Sequence, residues 1–393
     1  MANPLSYLSD QLNQWRQEGT YQRLRVLESE SAAESKFDGK NVINLASNNY
    51  LGLTTHPKLR EAALDATRKY GVGSGAVRTI SGTMSLHMQL EERIAAFKNV
   101  EACVVFQSGF AANAGTVSAI LGPEDHIISD ELNHASIIDG CRLSRAKIHV
   151  FPHKDFAAAE RILSELDSVP GRKLLITDGV FSMDGDIGPL PGLVAAAEKH
   201  GAIMMVDDAH ASGVLGRNGR GTIDHFGVHG RVHIQVGTLS KAIGVLGGYV
   251  CGSRALIEFL YHRARPFLFS TSHPPSVAAS CIAAFDVLES EPERIQALWD
   301  NTKYFKAGLT AAGFDTGMSE TPITPVIVGE AKGAHELSRL LFEEGVLATG
   351  IGFPTVPKGK ARVRTIVTAT HTRQELDRAL EAFQRVGKKL GLV

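Results

Sequence analysis

Cysteine is scarce in this chain, and so is an excess of charge of either sign. Four cysteines, Cys103, Cys141, Cys251 and Cys281, lie far apart in mostly apolar runs. No two make a CxxC pair or a zinc-ligand spacing, so a redox dithiol motif and a structural zinc site are both excluded at this level. Isolated thiols of this kind suit core packing in a reducing compartment. With a formal net charge of −1, nothing calls for nucleic acid or an anionic membrane as partner, although local basic pockets for phosphate-bearing ligands stay open. No run approaches the apolar length that spans a bilayer. The N-terminal Met-Ala-Asn-Pro-Leu-Ser-Tyr-Leu has neither a basic start nor a long apolar stretch, so no signal peptide is evident and a cytoplasmic location is expected.

What is present is ordinary globular composition, 44% hydrophobic and 21% charged over 393 residues, enough for one large core and a smaller second domain. Residues 1–40 read as an amphipathic helix followed by an irregular arm. A short strand over 42–46 leads into Ser47-Asn48-Asn49-Tyr50-Leu51-Gly52, and Pro57 opens a helix running to about Tyr70, at the position where proline is best tolerated. From about residue 100 the pattern alternates. Apolar runs over 102–106, 126–129, 174–177 and 202–207 read as buried strands, separated by helical periodicity around 110–121, 134–145, 155–166 and 190–200. This alternation predicts a mostly parallel α/β sheet sandwiched by helices, extended by strands over 232–237 and 247–252. After Pro274-Pro275 come long helical stretches to about Ala312, strands over 324–328 and 362–367 flanking a helix over 334–344, and a last helix from Thr372. The expected domains are an N-terminal helix and arm (1–55), a large α/β domain (56–285) and a smaller C-terminal α+β domain (286–393).

Two segments carry most of the chemistry. Val206-Asp207-Asp208-Ala209-His210 ends an apolar strand, and in open α/β sheets that end is where ligands bind. Downstream, Gly237-Thr238-Leu239-Ser240-Lys241 ends another strand in a small polar turn and a lysine. A lysine that forms an imine with an aldehyde cofactor needs an acidic partner to keep the cofactor's ring nitrogen protonated, and Asp207 with Lys241 supplies both parts. The pair reads as a pyridoxal-phosphate site. Separately, Asp207, Asp208 and His210 could equally be a helix cap or a metal site, and Lys241 a surface charge. Gln107-Ser108-Gly109-Phe110-Ala111-Ala112-Asn113 opens a helix whose N-terminal amides suit a phosphate, but an ordinary turn reads the same way. His134, in Asn133-His134-Ala135-Ser136, could stack on a flat cofactor or cap a helix. The acidic segment Asp178–Asp186 lacks calcium-loop spacing, and the glycine run Gly71–Ala76 follows a helix rather than a strand, which excludes a dinucleotide fingerprint. Arg364 could clamp a carboxylate or sit in a surface ion pair. No metal site is expected.

Taken together, collinear motifs at 47–52, 108–113, 129–140, 177–188, 206–213, 238–241, 266–275, 354–359 and 362–371 resemble the α-oxoamine synthases, a branch of the fold-type I pyridoxal-phosphate transferases. The likeness runs nearly the whole chain. The run Leu132–Gly140 and Val77-Arg78 look more like members that condense glycine with acetyl-CoA, whereas Thr355 also stands in members that condense alanine with pimeloyl-CoA. The expected reaction is therefore acyl transfer from acetyl-CoA to glycine, giving 2-amino-3-oxobutanoate and CoA. The alternative is the decarboxylative alanine and pimeloyl-CoA reaction of biotin biosynthesis, or an enzyme with both activities.

The resemblance implies specific roles. Lys241 forms the imine with pyridoxal phosphate and later moves the substrate's α-proton. Asp207 pairs with the ring nitrogen, His210 and Ser182 hydrogen-bond near the phenolic oxygen, and His134 stacks on the ring face beside the substrate. Gly109, Phe110 and Thr238 hold the phosphate, which Ser270 and Thr271 of a partner subunit also reach. Asn48 and Arg364 hold the amino-acid carboxylate, and Thr355 is a further substrate contact. His210 is also expected to help polarise the acyl carbonyl. A homodimer with shared active sites follows from the resemblance alone, with an amino acid and an acyl-CoA as the small-molecule partners.

Overall fold

The structure, a computed structural model, describes residues 3–21 and 23–393. The chain forms two compact units, one of Asn48–Ser182 and Asp186–Gln296, the other of Met1–Ser47, Met183–Gly185 and Ala297–Val393.

The first unit is built on a seven-stranded sheet in the spatial order Ala102–Phe106, Gly248–Gly252, Ile234–Thr238, Ile203–Asp207, Lys173–Asp178, His126–Asp130, Lys147–Phe151. Neighbours are parallel except Gly248–Gly252, which runs antiparallel to both of its partners. The central strands are apolar on both faces because helices cover both faces. Successive residues point to opposite sides. Ile127, Leu174, Ile176 and Met205 enter the core beneath Ala112, Val117, Ile137 and Cys141. Their neighbours Ile128, Leu175, Met204 and Val206 pack against Ala159, Leu163, Leu193 and Val194 on the other side. Each such side chain removed from water contributes roughly 1.5–3 kcal/mol.

The edge strand Lys147–Phe151 escapes the apolar-run criterion because four of its five residues are exposed or half-buried. Its sequence alternates polar and apolar residues at the sheet's margin and not in its centre.

Among the described residues, the second unit holds two three-stranded sheets. In one, the hairpin of Glu34–Phe37 and Lys40–Asn44 pairs with Val346–Leu347. The arm therefore contains a strand that the polar reading of residues 1–40 did not anticipate, its partner ends two residues earlier than expected, and the hairpin turns at Asp38-Gly39, both in the left-handed region. In the other sheet, Ala361–Ile366 lies antiparallel between Ile323–Gly329 and Thr349–Ile351. The last helix, Arg373–Leu390, starts in a capping box of Thr372 and Glu375 and buries Leu376, Ala379, Phe383 and Val386 along one stripe. Among the described residues, no helix is long and apolar enough to cross a membrane.

Candidate active site

Four neighbouring parallel strands of the first unit end in Asp130, Asp178, Asp207 and Thr238, so polar groups collect at the carboxyl edge of an otherwise apolar sheet. There lies a cavity of about 210 Å³ whose lining includes Gly109, Phe110, His134, Ser182, His210 and Lys241 together with Asp178, Asp207 and Thr238. Residues from separate segments of the sequence thus line one cavity.

Both oxygens of Asp207 are held from the protein side. Oδ2 accepts from Asn113 Nδ2 at 2.6 Å and Oδ1 from the Ala209 amide at 2.8 Å. Asn113 also donates to Ser136 Oγ at 2.9 Å, which stands 2.7 Å from His134 Nδ1. A hydrogen-bonded chain therefore links the aspartate to the histidine. In the sequence Asn113 stands out only as part of a strand-to-helix turn. Its signal was a lone amide in the apolar run Phe110–Gly115. His210, buried, brings its Nδ1 to 2.8 Å from the Tyr50 hydroxyl, another partner that spacing did not reveal. The competing metal reading fails on geometry: the Asp208 carboxylate is taken by Lys98 at 2.9 Å and by Thr222.

The electrostatics follow from burial and crowding. Burial, then the charge of neighbouring Asp207, pushes the Asp178 carboxyl well above the usual carboxylate range. Asp178 Oδ2 accepts the His134 amide at 2.8 Å, which places the start of the helix Ala135–Ser144. The protein packed around His134 holds its imidazole below the ordinary value, with Asp207 pulling upward and Lys241 pushing down. His153 goes the other way. Burial lowers it, but hydrogen bonds to Asp130 (3.0 Å) and Asp186 (2.8 Å) outweigh that and carry it up to about 9. As an imidazolium at neutral pH it ties the end of strand His126–Asp130 to the Asp178–Asp186 turn that carries Ser182, and its ring meets Phe181 edge-on at 4.4 Å.

At the other end of the cavity, the helix Gly109–Ile120 begins with amides that have no carbonyl within the helix to bond, and Ser108 caps it through the Ala111 amide. Thr238 Oγ1 stands 2.8 Å from Ser240 Oγ and donates to the Gly247 carbonyl at 2.8 Å. Gly248 lets its strand lie against this turn: a Cβ there would fall on the Ser108 carbonyl and 2.5 Å from the Gly109 nitrogen. An anion-binding helix start, a buried carboxylate and a lysine on one cavity fit pyridoxal phosphate.

The remaining expected residues are not among the lining of this cavity. Asn48, half-buried, has its Oδ1 buried without a hydrogen-bond partner. Ser270 and Thr271 follow the helix Arg265–Leu268, outside this cavity's lining, and Thr271 bridges Val77 and accepts Gln107 at 2.8 Å. In the second unit, Arg364 is half-buried in the central strand Ala361–Ile366, opposite Pro325 and Thr349, and Thr355 is exposed in the loop 352–360 that leads into that strand.

The family profile of aminotransferase class I and II matches residues 40–383. The chain belongs to this family. Its fold is the fold-type I transferase fold and its cofactor is pyridoxal phosphate. Within the family it is an α-oxoamine synthase. It is 62% identical over 387 residues to the 8-amino-7-oxononanoate synthase of Symbiobacterium thermophilum, covering 98% of this chain and 99% of that one. Against 8-amino-7-oxononanoate synthase 1 of Bacillus subtilis the identity is 54% over 393 residues, with both chains fully covered (100%). Among solved structures, a variant of the serine palmitoyltransferase of S. paucimobilis, with a pyridoxal phosphate–myriocin adduct bound, superposes with a TM-score of 0.94 at 32% identity over 100% of both chains. The family member described here is thus an acyltransferase of the α-oxoamine synthase type.

Proposed function

We propose that this enzyme condenses L-alanine with pimeloyl-CoA, releasing CoA and carbon dioxide and forming 8-amino-7-oxononanoate, a step of biotin biosynthesis. The observation that carries this reading is the 62% identity, over nearly the full length of both chains, to a relative of that name. It replaces the glycine and acetyl-CoA pair expected first from Leu132–Gly140 and Val77-Arg78. Those segments are short, and relatives at 54–62% identity favour the longer acyl chain.

Pyridoxal phosphate, when bound, supplies an aldehyde that takes up amines and a ring that accepts the electron pair left when a bond at the α-carbon breaks. Asp207, its carboxylate fixed by Asn113 and the Ala209 amide, would hold the ring nitrogen protonated. His134 covers the ring face, and Asp178 fixes the backbone from which it projects. Ser182 and His210 hydrogen-bond near the phenolic oxygen. The Gly109 and Phe110 amides and the Thr238 hydroxyl hold the phosphate. Lys241 would hold the cofactor through its amine and would move the substrate's α-proton. His210 also orients and polarises the thioester carbonyl, while Asn48 and Arg364 hold the alanine carboxylate and Thr355 lies by the substrate. A homodimer in which Ser270 and Thr271 of one protomer reach the other's phosphate completes the proposal, and the enzyme works in the cytoplasm.

The test is release of CoA from acetyl-, longer acyl- and pimeloyl-CoA, each with glycine and with alanine, with the amino-ketone product identified by mass. Turnover with pimeloyl-CoA and alanine well above every other pair is expected. Turnover confined to acetyl-CoA and glycine overturns the reading.

A further inference from the structure

Asp207 and Asp208 are consecutive, so their side chains leave the strand end on opposite sides. Asp207 faces the cavity. Asp208 faces inward and is completely buried, at 0% exposure, against Lys98, itself 1% exposed. All three Lys98 ammonium hydrogens have acceptors: Asp208 Oδ2 at 2.9 Å, the Arg220 carbonyl at 2.7 Å and Ser212 Oγ at 3.3 Å. Asp208 also accepts the Thr222 amide and hydroxyl, and Ser212 Oγ continues to the buried Tyr249 hydroxyl at 2.8 Å. The packing admits no substitute at Gly221, where a Cβ would land on the Asp208 carboxylate.

We propose that Lys98 and Asp208 are positioning residues that set where Asp207 and His210 stand against the cofactor. The proposal rests on the reading that those two residues face pyridoxal phosphate. The segment between Asp207 and Thr222 leaves the sheet, carries His210, and returns. Lys98 ties it at Ser212 and at Arg220, and Asp208 ties it at Thr222. The Asp208 carbonyl accepts the Ala211 and Ser212 amides at 3.0 and 2.8 Å, so the turn containing His210 is wound on the residue that the lysine holds. A buried ion pair gives little net stability over apolar residues of the same volume, because desolvating both charges offsets their attraction. What it supplies here is direction: a fixed charge position that apolar packing would not specify. Lys98 ends the helix Ser85–Lys98, which packs against the strand Ala102–Phe106, so the end of that helix also bears on the geometry of the cavity at the carboxyl edge of the sheet.

The test uses cofactor-loaded enzyme and the variants Lys98→Met, Ser212→Ala and the double Lys98→Met/Asp208→Asn. Visible circular dichroism of the bound cofactor reads how the protein orients the ring, independently of turnover. In Lys98→Met we expect the band per bound cofactor to fall at least about twofold and kcat to fall roughly 10- to 100-fold with the alanine KM little changed, as a small misplacement of reacting groups does. Ser212→Ala moves both readouts the same way by less. The double variant, which leaves no unpaired buried charge, recovers thermal stability but not the dichroism or kcat. The double variant also carries the test if Lys98→Met fails to fold. Dichroism and kcat within about twofold of wild type in the double variant would overturn the proposal, because the pair would then only balance charge. If wild-type enzyme shows no condensation with pimeloyl-CoA and alanine, the proposed substrate fails, and the dichroism still judges the pair.

Discussion

Asp178 and Asp207 are register partners at the ends of adjacent parallel strands, and after burial the charge of the second helps hold the first well above the usual carboxylate range. Two identical side chains in one cavity are thereby given different tasks. Asp178→Asn removes the charge that burial and Asp207 both oppose and keeps an oxygen to accept the His134 amide, so kcat is expected to stay within about threefold of wild type. Asp207→Asn loses a charge-assisted bond of about 1.5–3 kcal/mol and should lower kcat roughly 10- to 100-fold. Steady-state kinetics on both variants decides. Equal losses in the two would show that the carboxyls are not differentiated.

Lys241→Ala removes the only side chain proposed to carry the α-proton. Condensation should fall by at least about 10²–10⁴-fold. Equilibrium dialysis should still find pyridoxal phosphate bound, because the helix start at Gly109 and Asp207 are untouched. Retained turnover would transfer the proton step to another group.

For His153, the folded value of about 9 lies above the ordinary 6.5. Its contribution to stability is therefore complete below about pH 6.5 and lost as pH rises through about 9, some 3 kcal/mol in all. Denaturant unfolding of wild type and His153→Gln should show a gap at pH 6.5 that shrinks toward zero at roughly pH 9.5–10. A gap independent of pH would mean that the imidazolium is not what holds Asp130 to Asp186.

Gly248→Ala places a methyl against the Ser108 carbonyl and the Gly109 amide. Either the strand or the helix start must move, at a cost of about 1–3 kcal/mol. The phosphate amides move with it, so titration of the apoprotein should show pyridoxal phosphate binding about tenfold weaker. Unchanged affinity with lowered stability would place the phosphate away from that turn.

The sequence by itself determined the element types and the polar strand ends. Apolar runs with strand length and 3.6-residue periodicity between them depend only on local spacing, and they marked the central strands and most helices of the first unit. Spacing joined Asp207 with Lys241, and the resemblance of collinear motifs over nearly the whole chain to the α-oxoamine synthases added His134 and Ser182. Local spacing failed where exposure erased the pattern, as in Lys147–Phe151 and Glu34–Phe37. It also put the glycine and acetyl-CoA pair first, on the short segments Leu132–Gly140 and Val77-Arg78, whereas relatives at 54–62% identity bear the name of the alternative.

Only the tertiary structure decided which strand ends are neighbours. Asp178 meets Asp207 because their strands are adjacent, and Asn113 reaches Asp207 across 94 positions of chain. Lys98 and Asp208 are separated by 110 positions, and His153 and Asp186 by 33. These contacts depend on strand order and on helices laid across the sheet, which no local period encodes. The protonation states follow the same rule, since a carboxyl is raised or an imidazole charged by what folding places beside it.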